Sequence, residues 1–524
     1  MRSIRLRLLL VLIALCSTIT STHDYNKFDV TLVFDPQSRS IAEEICSRVK
    51  TEYKINTEIN ESNIKLHFIS EKQIDFFKNA VRSETKSRGI HSTSLTVEDS
   101  YKTSESYKKY MSQTTSSSIK YHNYDQLGDF LTRMNEQYPD ATSIFSIGQS
   151  AQSRELRGLR INTPSKSSIP KPKFRYVGNM HGDEVVGREM LIQFTEYVLT
   201  EYYNSTSKDY RVKNLLDSMD MYVLPSMNPD GYELKQRENV NYQDLNRDFP
   251  DQFIPESQTR EPQPETRAIM NWFTSNSFVL GANFHGGAVV ASYPFDGFPS
   301  GDIGSQGVIS KAPDHDLYVL LARTYADNHK NMMGPDKEFP SGITNGAQWY
   351  SLYGGMQDYG IVNAGCPEIT MELSDIKSPP EAALDGFWND NKLSLLAYAE
   401  VIYKGVGGLI YNNVGERVNS TCLVTFSDAS RDYKTTHTVL PRDNGFYYRV
   451  LYPGSYDMTV KCEGSKQLST KSVVVNKDSK KPTPLNWMVG SSASRPGQLA
   501  TSGSSTLNVI PFYLLIVYIV FGLF

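Results

Sequence analysis

The chain has 524 residues and a net charge of −4, with 54 Lys and Arg against 58 Asp and Glu. This length exceeds one ordinary domain and predicts two or three. The small net charge excludes both a basic surface suited to nucleic acid and an acidic, solvated tail, so we expect no nucleic-acid partner.

The N-terminus carries the pattern of a secretory signal. Arg2, Arg5 and Arg7 precede an apolar run at residues 8–16, and small polar residues follow at 17–22. Charged region, apolar region and cleavage site come in this order in signal peptides. We predict a signal peptide over residues 1–21 and passage through the secretory pathway.

Residues 22–105 predict a small α/β unit, an open-faced sandwich. Strand-like alternation and helical spacing take turns as strand, helix, strand, helix and strand, at residues 28–34, 41–53, 64–69, 73–81 and 94–97. The stretch 106–118 is rich in serine and lysine, which is typical of an exposed linker, and it contains the pair Lys108-Lys109, a candidate processing site.

Residues 119–403 predict one large α/β domain, because helical and strand-like segments alternate throughout. The predicted strands cover residues 174–177, 219–224, 278–284 and 368–373. The predicted helices cover residues 187–203, 317–329 and 380–403.

The pattern of apolar and turn-forming residues changes after residue 403. Residues 404–489 carry short alternating runs separated by turn sequences such as Asp443-Asn-Gly445 and Pro453-Gly454, which predict a small β-sandwich.

The chain ends in a small, polar spacer and an uncharged apolar run, residues 490–524. This is the pattern of a GPI-attachment signal, with the attachment residue at 491–494 or 500–502. The alternative is a plain tail-anchor helix, although the 16 apolar residues at 509–524 are marginal for crossing a bilayer. Either a GPI anchor or a tail-anchor helix predicts a membrane-bound protein at the cell surface or in the extracellular space.

Three sequons agree with the secretory route and predict N-glycosylation at Asn60, Asn204 and Asn419. Cleavage of the predicted signal peptide would remove Cys16, one of the five cysteines. Of the remaining four, Cys422 and Cys462 lie in one β-rich segment, and we predict that they form a disulfide.

The stretch His181-Gly-Asp-Glu184 is a candidate metal site. Catalytic zinc sites often use two histidines and one glutamate, and leave a fourth position for water. The best third ligand is His285, which directly follows an apolar, strand-like run. Spacing alone makes this a weak signal, and the stretches around these residues decide its meaning.

The surroundings of these residues resemble the zinc metallocarboxypeptidase family, in particular its regulatory branch of carboxypeptidases D, E, M and N. The matching stretches occur in the family's order over residues 119–403, and they are Asn179-Met-His-Gly-Asp-Glu184, Pro225-Ser-Met-Asn-Pro-Asp-Gly-Tyr232, Asp244-Leu-Asn-Arg-Asp-Phe-Pro-Asp251, His285-Gly-Gly287, Gly354-Gly-Met-Gln-Asp358 and Glu368-Ile-Thr-Met-Glu-Leu373. The resemblance implies a mixed sheet with helices on both faces, one Zn²⁺ per chain, and hydrolysis at peptide or protein C-termini.

The resemblance also implies roles for individual residues. His181, Glu184 and His285 would bind zinc, and Glu372 would be the general base. Arg237 would stabilise the oxyanion. The substrate's terminal carboxylate would contact Arg247 and Asn246, and Tyr350 would close over the substrate, with Tyr353 as its competitor.

The same resemblance implies a substrate preference. Asp296 matches the acidic residue with which this branch recognises a basic side chain, and Gln357 matches its polar neighbour. A carboxylate in a pocket favours C-terminal Lys or Arg, because a neutral residue would leave it unpaired.

The chain departs from the family's pattern in four places. Asp183 and Asp248 replace the usual asparagines, and Pro367 stands where an aromatic residue is common. In addition, residues 22–105 resemble the pro-segment of the digestive branch, which the regulatory branch lacks, so zymogen behaviour is open. Residues 404–489 resemble the transthyretin-like β-sandwich of the regulatory branch.

Two alternative functions remain at this point. One is a digestive-type carboxypeptidase with apolar specificity, which the front segment suggests. The other is a non-catalytic surface binding protein on the same scaffold.

Overall fold

The structure of the chain is a computed structural model. The structure describes the strands at residues 28–33, 57–59, 63–68 and 94–97, and residues 118–489 except 166, 208–209, 256–259, 300–306, 432 and 466–468. The predicted signal peptide, the two predicted helices of the front unit, the linker up to residue 117, Asn60 and the tail from residue 490 lie outside the described residues.

The front segment contains one antiparallel sheet with the strand order β2-β3-β1-β4. Its strands are β1 (Phe28–Val33), β2 (Thr57–Ile59), β3 (Asn63–Phe68) and β4 (Ser94–Val97). Three of these strands agree with the predicted segments. The sequence gives no signal for β2, because three residues are too few to reveal an alternating pattern.

An eight-stranded mixed sheet forms the centre of the large domain, in the order β11-β10-β12-β9-β7-β8-β6-β5. Its strands are β5 (Thr142–Gln149), β6 (Glu155–Ile161), β7 (Lys173–Gly178), β8 (Asp220–Leu224), β9 (Phe278–His285), β10 (Ala288–Tyr293), β11 (Ile343–Asn345) and β12 (Glu368–Ser374). The four strands β12, β9, β7 and β8 run parallel in this order. All eight residues of β9 are buried, which explains its continuous, mostly apolar sequence.

Helices follow the strands in alternation, as predicted for an α/β domain. They are α1 (Tyr124–Gln137), α2 (Val186–Tyr203), α3 (Arg211–Ser218), α4 (Pro229–Leu234), α5 (Pro264–Ser275), α6 (His315–Ala326), α7 (Gly346–Trp349), α8 (Met356–Val362) and α9 (Leu384–Ala399). The prediction of one continuous helix over residues 380–403 is wrong in detail. Helix α9 is flanked by the 3₁₀ turns Glu381–Ala383 and Glu400–Lys404, which helical spacing alone does not distinguish from α-helix.

The first helix shows how the local sequence sets an element. Asn123 Oδ1 accepts the N–H of Gln126 at 2.9 Å, and Gln126 Oε1 accepts the N–H of Asn123 at 2.9 Å, which forms a capping box. Leu127, Phe130, Leu131 and Met134 follow at helical spacing and are buried. The helix therefore begins at its cap and packs through one apolar face.

Residues 405–488 contain two further sheets, in agreement with the prediction of a β-rich segment. One has the order β16-β13-β19, with β20 also paired to β13, and the other has the order β15-β14-β17-β18. Their strands are β13 (Gly405–Tyr411), β14 (Cys422–Asp428), β15 (Tyr433–Val439), β16 (Phe446–Val450), β17 (Gly454–Cys462), β18 (Ser469–Val475), β19 (Thr483–Pro484) and β20 (Trp487–Met488).

One apolar core joins these two sheets. It includes Ile410 and Trp487 from one sheet and Phe426 and Val460 from the other. Cys422 and Cys462, which are directly paired neighbours on β14 and β17, form a disulfide. Cys366 is a buried free thiol.

Across the described residues, no helix combines the length and the apolar character needed to span a membrane.

Candidate active site

Three buried side chains converge at the ends of neighbouring strands. His285 is the last residue of β9, while His181 and Glu184 lie in the loop between β7 and α2. The Nδ1 atoms of the two histidines are 3.1 Å apart, and each lies 2.9 Å from Oε2 of Glu184. The structure therefore brings together the three metal ligands that the sequence suggests, and their donor atoms form one group.

The loop that carries His181 and Glu184 depends on two unusual residues. Asn179 has a left-handed backbone with φ of 56°, and its Nδ2 donates to the carbonyl oxygen of His181 at 2.9 Å. A Cβ atom on Gly182 would lie 2.1 Å from the carbonyl carbon of Gly231. Only glycine fits there, so the small residue between the two ligands has a steric cause.

The geometry of this group fits a zinc ion. Donor atoms bound tetrahedrally to zinc lie about 3.3 Å apart, given bond lengths of about 2.0–2.2 Å. The distances of 2.9–3.1 Å between the three donor atoms are close to this spacing. Burial lowers the pKa of His285 to about 4, so at neutral pH its imidazole is uncharged, as a metal ligand must be.

The buried Asn283 supports the same assignment. Its Nδ2 lies 2.6 Å from Nε2 of His285, and its Oδ1 has no hydrogen-bond partner among the described residues. If Nδ1 of His285 binds a metal, Nε2 carries the proton and requires an acceptor. A half-turn of the amide would place Oδ1 there and satisfy both groups.

Asp244 connects this group to Arg237. Its Oδ1 lies 3.0 Å from Nε2 of His181, and its Oδ2 accepts from Nη2 of Arg237 at 3.0 Å. Burial alone would raise the pKa of Asp244, but Arg237 and His181 outweigh it and hold that pKa well below its usual range. The carboxylate is therefore ionised, and it holds both neighbours in place.

Arg237 lies inside the site, although its sequence surroundings suggest only a surface charge. Its Nη1 is 3.0 Å from Oε1 of Glu184 and 3.1 Å from Nδ1 of His181. Only 16% of its side chain is exposed, so the cation acts on the metal-ligand group with little solvent in between.

Glu372 occupies the strand next to His285. The two residues are directly paired in the parallel register of β12 and β9, so their side chains leave the same face of the sheet. Glu372 is 6% exposed. This register places the predicted base beside the predicted metal ligands.

The residues predicted to bind the substrate's terminal carboxylate follow Asp244 in one 3₁₀ turn, Leu245–Arg247. Asn246 accepts the N–H of Met356 at 3.0 Å, and Nη1 of Arg247 donates to the carbonyl of Asn246 at 2.8 Å. A Cβ atom on Gly354 would lie 2.8 Å from the backbone of Arg247, so there is no room for a side chain at position 354.

The charges of Arg247 and Glu372 act on Tyr350, and the hydroxyl of its competitor Tyr353 has a different partner. Burial, opposed by Arg247, raises the pKa of Tyr350 to about 12, and Glu372 contributes in the same direction as burial. The hydroxyl of Tyr353 donates instead to the carbonyl of Phe298 at 3.3 Å.

The predicted specificity residues are in direct contact. Gln357 Nε2 donates to Oδ1 of Asp296 at 3.0 Å, and both residues are buried. A Cβ atom on Gly346 would lie only 1.9 Å from Oδ1 of Asp296, so the glycine leaves the space that this carboxylate occupies. The structure thus places a buried carboxylate at the end of a strand-to-loop segment near the other predicted site residues.

Comparison with known proteins agrees with this geometry. The profile of the zinc carboxypeptidase family matches residues 127–394. Carboxypeptidase M of Mus musculus is 39% identical over 419 residues, which covers 75% of this chain and 90% of that protein. The chain belongs to the zinc carboxypeptidase family.

Two further relatives of this zinc carboxypeptidase differ in length. The carboxypeptidase N catalytic chain of Rattus norvegicus is 35% identical over 416 residues, covering 72% of this chain and 87% of that one. Carboxypeptidase D of Anas platyrhynchos is 37% identical over 387 residues, covering 70% of this chain but only 26% of that protein. This chain therefore spans about a quarter of carboxypeptidase D. It is a metallopeptidase, and zinc is its cofactor.

Asp183 and Asp248, which replace the usual asparagines of the family, each lie next to a cationic side chain. Asp183 Oδ2 lies 3.7 Å from Nζ of Lys377, which is also 3.6 Å from Oε1 of Glu184. Asp248 accepts from Nε of Arg260 at 3.0 Å. Nearby positive charge thus offsets the negative charge that these two residues add to the site.

Sequence reasoning gave no role to Asp244 or Lys377. Asp244 lies within a stretch that matches the family and is three residues before Arg247. This closeness along the chain was the only sequence feature that could have indicated a role for Asp244. Lys377 follows β12 by three residues and has no motif of its own, so only the three-dimensional structure reveals it.

Proposed function

We propose that this enzyme removes Lys or Arg from the C-termini of peptides or proteins. The observation that carries the proposal is the buried Asp296, whose Oδ1 is held by the neutral amide of Gln357. An amide donor leaves the charge of a carboxylate in place, so a cationic side chain of the substrate is the fitting partner. An apolar side chain would bring no positive charge to meet that carboxylate, which disfavours a digestive-type apolar specificity.

In this proposal His181, Glu184 and His285 hold the zinc ion. When bound, zinc polarises the scissile carbonyl and makes a water molecule more acidic. Glu372 accepts a proton from the attacking water and delivers it to the leaving amine, as a general base and then a general acid. Its position on β12, paired with His285 on β9, supports this role.

Four side chains orient the substrate. Arg247 pairs with the terminal carboxylate through its planar guanidinium, and the amide of Asn246 provides a further donor. Arg237, held by Asp244, stabilises the negative charge that develops on the carbonyl oxygen. Tyr350 covers the bound residue and excludes water.

We also propose that the protein reaches the cell surface or the extracellular space through the secretory pathway, with a C-terminal lipid anchor or short apolar tail. The N-terminal signal pattern, the disulfide Cys422–Cys462 and the exposed sequon residues Asn204 and Asn419 support this proposal. In the same way, we assign residues 22–105 to a pro-segment and residues 404–489 to a transthyretin-like domain, in view of their sheets.

Hydrolysis of peptides that differ only in their last residue tests the proposed specificity. Peptides ending in Arg or Lys should be cleaved with a higher kcat/KM than peptides ending in Leu or Phe. A preference for the apolar peptides would refute the proposal. If the purified protein binds zinc but cleaves none of them, the non-catalytic alternative would gain support.

A further inference from the structure

Two consecutive residues of α8 hold Asp296 from two directions. Gln357 donates to the Asp296 side chain, as described above. The backbone N–H of Asp296 lies 3.1 Å from both Oδ1 and Oδ2 of Asp358, so it is shared between these two oxygens. Each of the two α8 residues is only 1% exposed. The short helix therefore fixes both the carboxylate of Asp296 and the backbone that carries it.

The surroundings of Asp358 favour an uncharged carboxylic acid. Burial and the negative charge of Asp296 raise the pKa of Asp358 well above its usual range, although the hydrogen bonds from Gln252 and from the N–H of Asp296 act in the opposite direction. Gln252 Nε2 lies 2.9 Å from Oδ2 of Asp358, while Oε1 of Gln252 is buried without a hydrogen-bond partner among the described residues. A half-turn of this amide would let Oε1 accept the proton of the acid.

The charge of the substrate favours the same state. A C-terminal Lys or Arg brings one positive charge into the pocket, which one ionised carboxylate neutralises. If Asp296 and Asp358 were both ionised, their two negative charges would repel each other inside a buried pocket. A neutral Asp358 still accepts the N–H of Asp296 through its carbonyl oxygen.

We propose that Asp358 is a positioning residue of the specificity pocket, an uncharged acid that holds the backbone of Asp296 so that its carboxylate meets the basic side chain of the substrate. This inference rests on the proposed preference for Lys and Arg. It assigns to Asp358 a contribution through hydrogen bonding and shape, and none through negative charge.

Two substitutions of similar shape separate these contributions. Asp358→Asn keeps an acceptor oxygen and carries no charge, whereas Asp358→Leu removes the acceptor. The measurement is the ratio of kcat/KM for two peptides that differ only in a C-terminal Arg or Leu. We expect Asp358→Leu to lower this ratio about tenfold, mainly through KM of the Arg peptide, the size of one lost hydrogen bond. We expect Asp358→Asn to restore it to within about threefold of the wild type.

Asp390→Leu is the matched control. Asp390 is also buried, but it lies on α9 and accepts from Asn331 at 2.6 Å. This variant should keep the wild-type ratio, and thermal unfolding of all variants reports how much stability each change costs.

Two outcomes would overturn the inference. If Asp358→Asn lowers the ratio tenfold or more, the charge of Asp358 is required. If a folded Asp358→Leu keeps the wild-type ratio, Asp358 does not position Asp296. The Asn variant tests the inference even if the Leu variant does not fold. Failure of the Lys and Arg preference would instead appear in the wild-type enzyme.

Discussion

Nε2 of His181 lies 3.0 Å from Oδ1 of Asp244, and this contact determines which ring nitrogen of His181 faces the other metal ligands. When His181 is neutral, as a metal ligand must be, the hydrogen bond from Nε2 to an ionised carboxylate keeps the proton on Nε2, so Nδ1 presents its lone pair to the site. The second oxygen of Asp244 holds Arg237. One carboxylate thus orients a metal ligand and the proposed oxyanion-stabilising cation.

Asp244→Asn should therefore weaken zinc binding by about 10–100-fold, the usual effect of losing a carboxylate that orients a metal-binding histidine. Competition with a chelator of known affinity measures this change. Asp248→Asn is a suitable control, because Asp248 is buried in the neighbouring turn but bonds Arg260 rather than a metal ligand. Equal zinc affinity of the Asp244 variant and wild type would contradict the orienting role.

Glu372→Gln should lower kcat by about 10²–10⁴-fold, the range for a general base, because the amide does not accept a proton from water. Zinc content should stay at one equivalent, since Glu372 is not among the three grouped ligands. Metal analysis and steady-state kinetics on the same preparation check both points. A variant with kcat near that of the wild type would require another base.

The sequence reveals the metal site well because its constraints are local. His181 and Glu184 share one loop, and the apolar pattern of β9 ends at His285, so the position of each ligand follows from motif and element. Contacts between distant segments leave no such trace. The pairing of Asp358 with Asp296 spans 62 residues, and neither flanking sequence shows that the two carboxyl groups share a pocket.

Element boundaries follow the same rule. Four strands of the central sheet, β7, β8, β9 and β12, were predicted to within a few residues, since buried strands have continuous apolar runs. The other four strands of this sheet were not predicted. Strand β2 and the 3₁₀ turns around α9 were not predicted, because elements of three to five residues contain too few positions for a period.

Removing one partner of the buried ion pair of Arg175 and Glu368 should destabilise the fold strongly. Nη2 of Arg175 donates to Oε2 of Glu368 at 2.6 Å, and both side chains are fully buried. Glu368→Gln would leave the guanidinium without its counter-charge, so we expect the free energy of unfolding to fall by about 3–5 kcal/mol. Denaturant unfolding measures this loss. The exposed pair Lys120–Glu381 is the control, and Glu381→Gln should cost less than about 1 kcal/mol.

His329 should make the protein less stable in acid. Its Nδ1 accepts the N–H of Asn331 at 3.0 Å, and burial lowers the pKa of His329 to about 3. Between this value and the ordinary pKa of about 6.5, the unfolded chain binds a proton that the folded protein does not, so stability falls as pH falls through this window. His329→Gln should reduce the slope of unfolding free energy against pH by about 1.4 kcal/mol per unit. An unchanged slope between pH 4 and 6 would show that His329 is not buried in its neutral form.

Asp296 is the central residue of the proposed specificity, and the most direct measurement is the effect of Asp296→Ala on two peptides that differ only in a C-terminal Arg or Leu. We predict that kcat/KM for the Arg peptide falls by two orders of magnitude or more, roughly the 3 kcal/mol or more of a buried charge pair, whereas kcat/KM for the Leu peptide changes by less than about tenfold. An equal loss for both peptides, or an unchanged preference for Arg, would contradict the assignment of Asp296 as the residue that recognises the basic side chain.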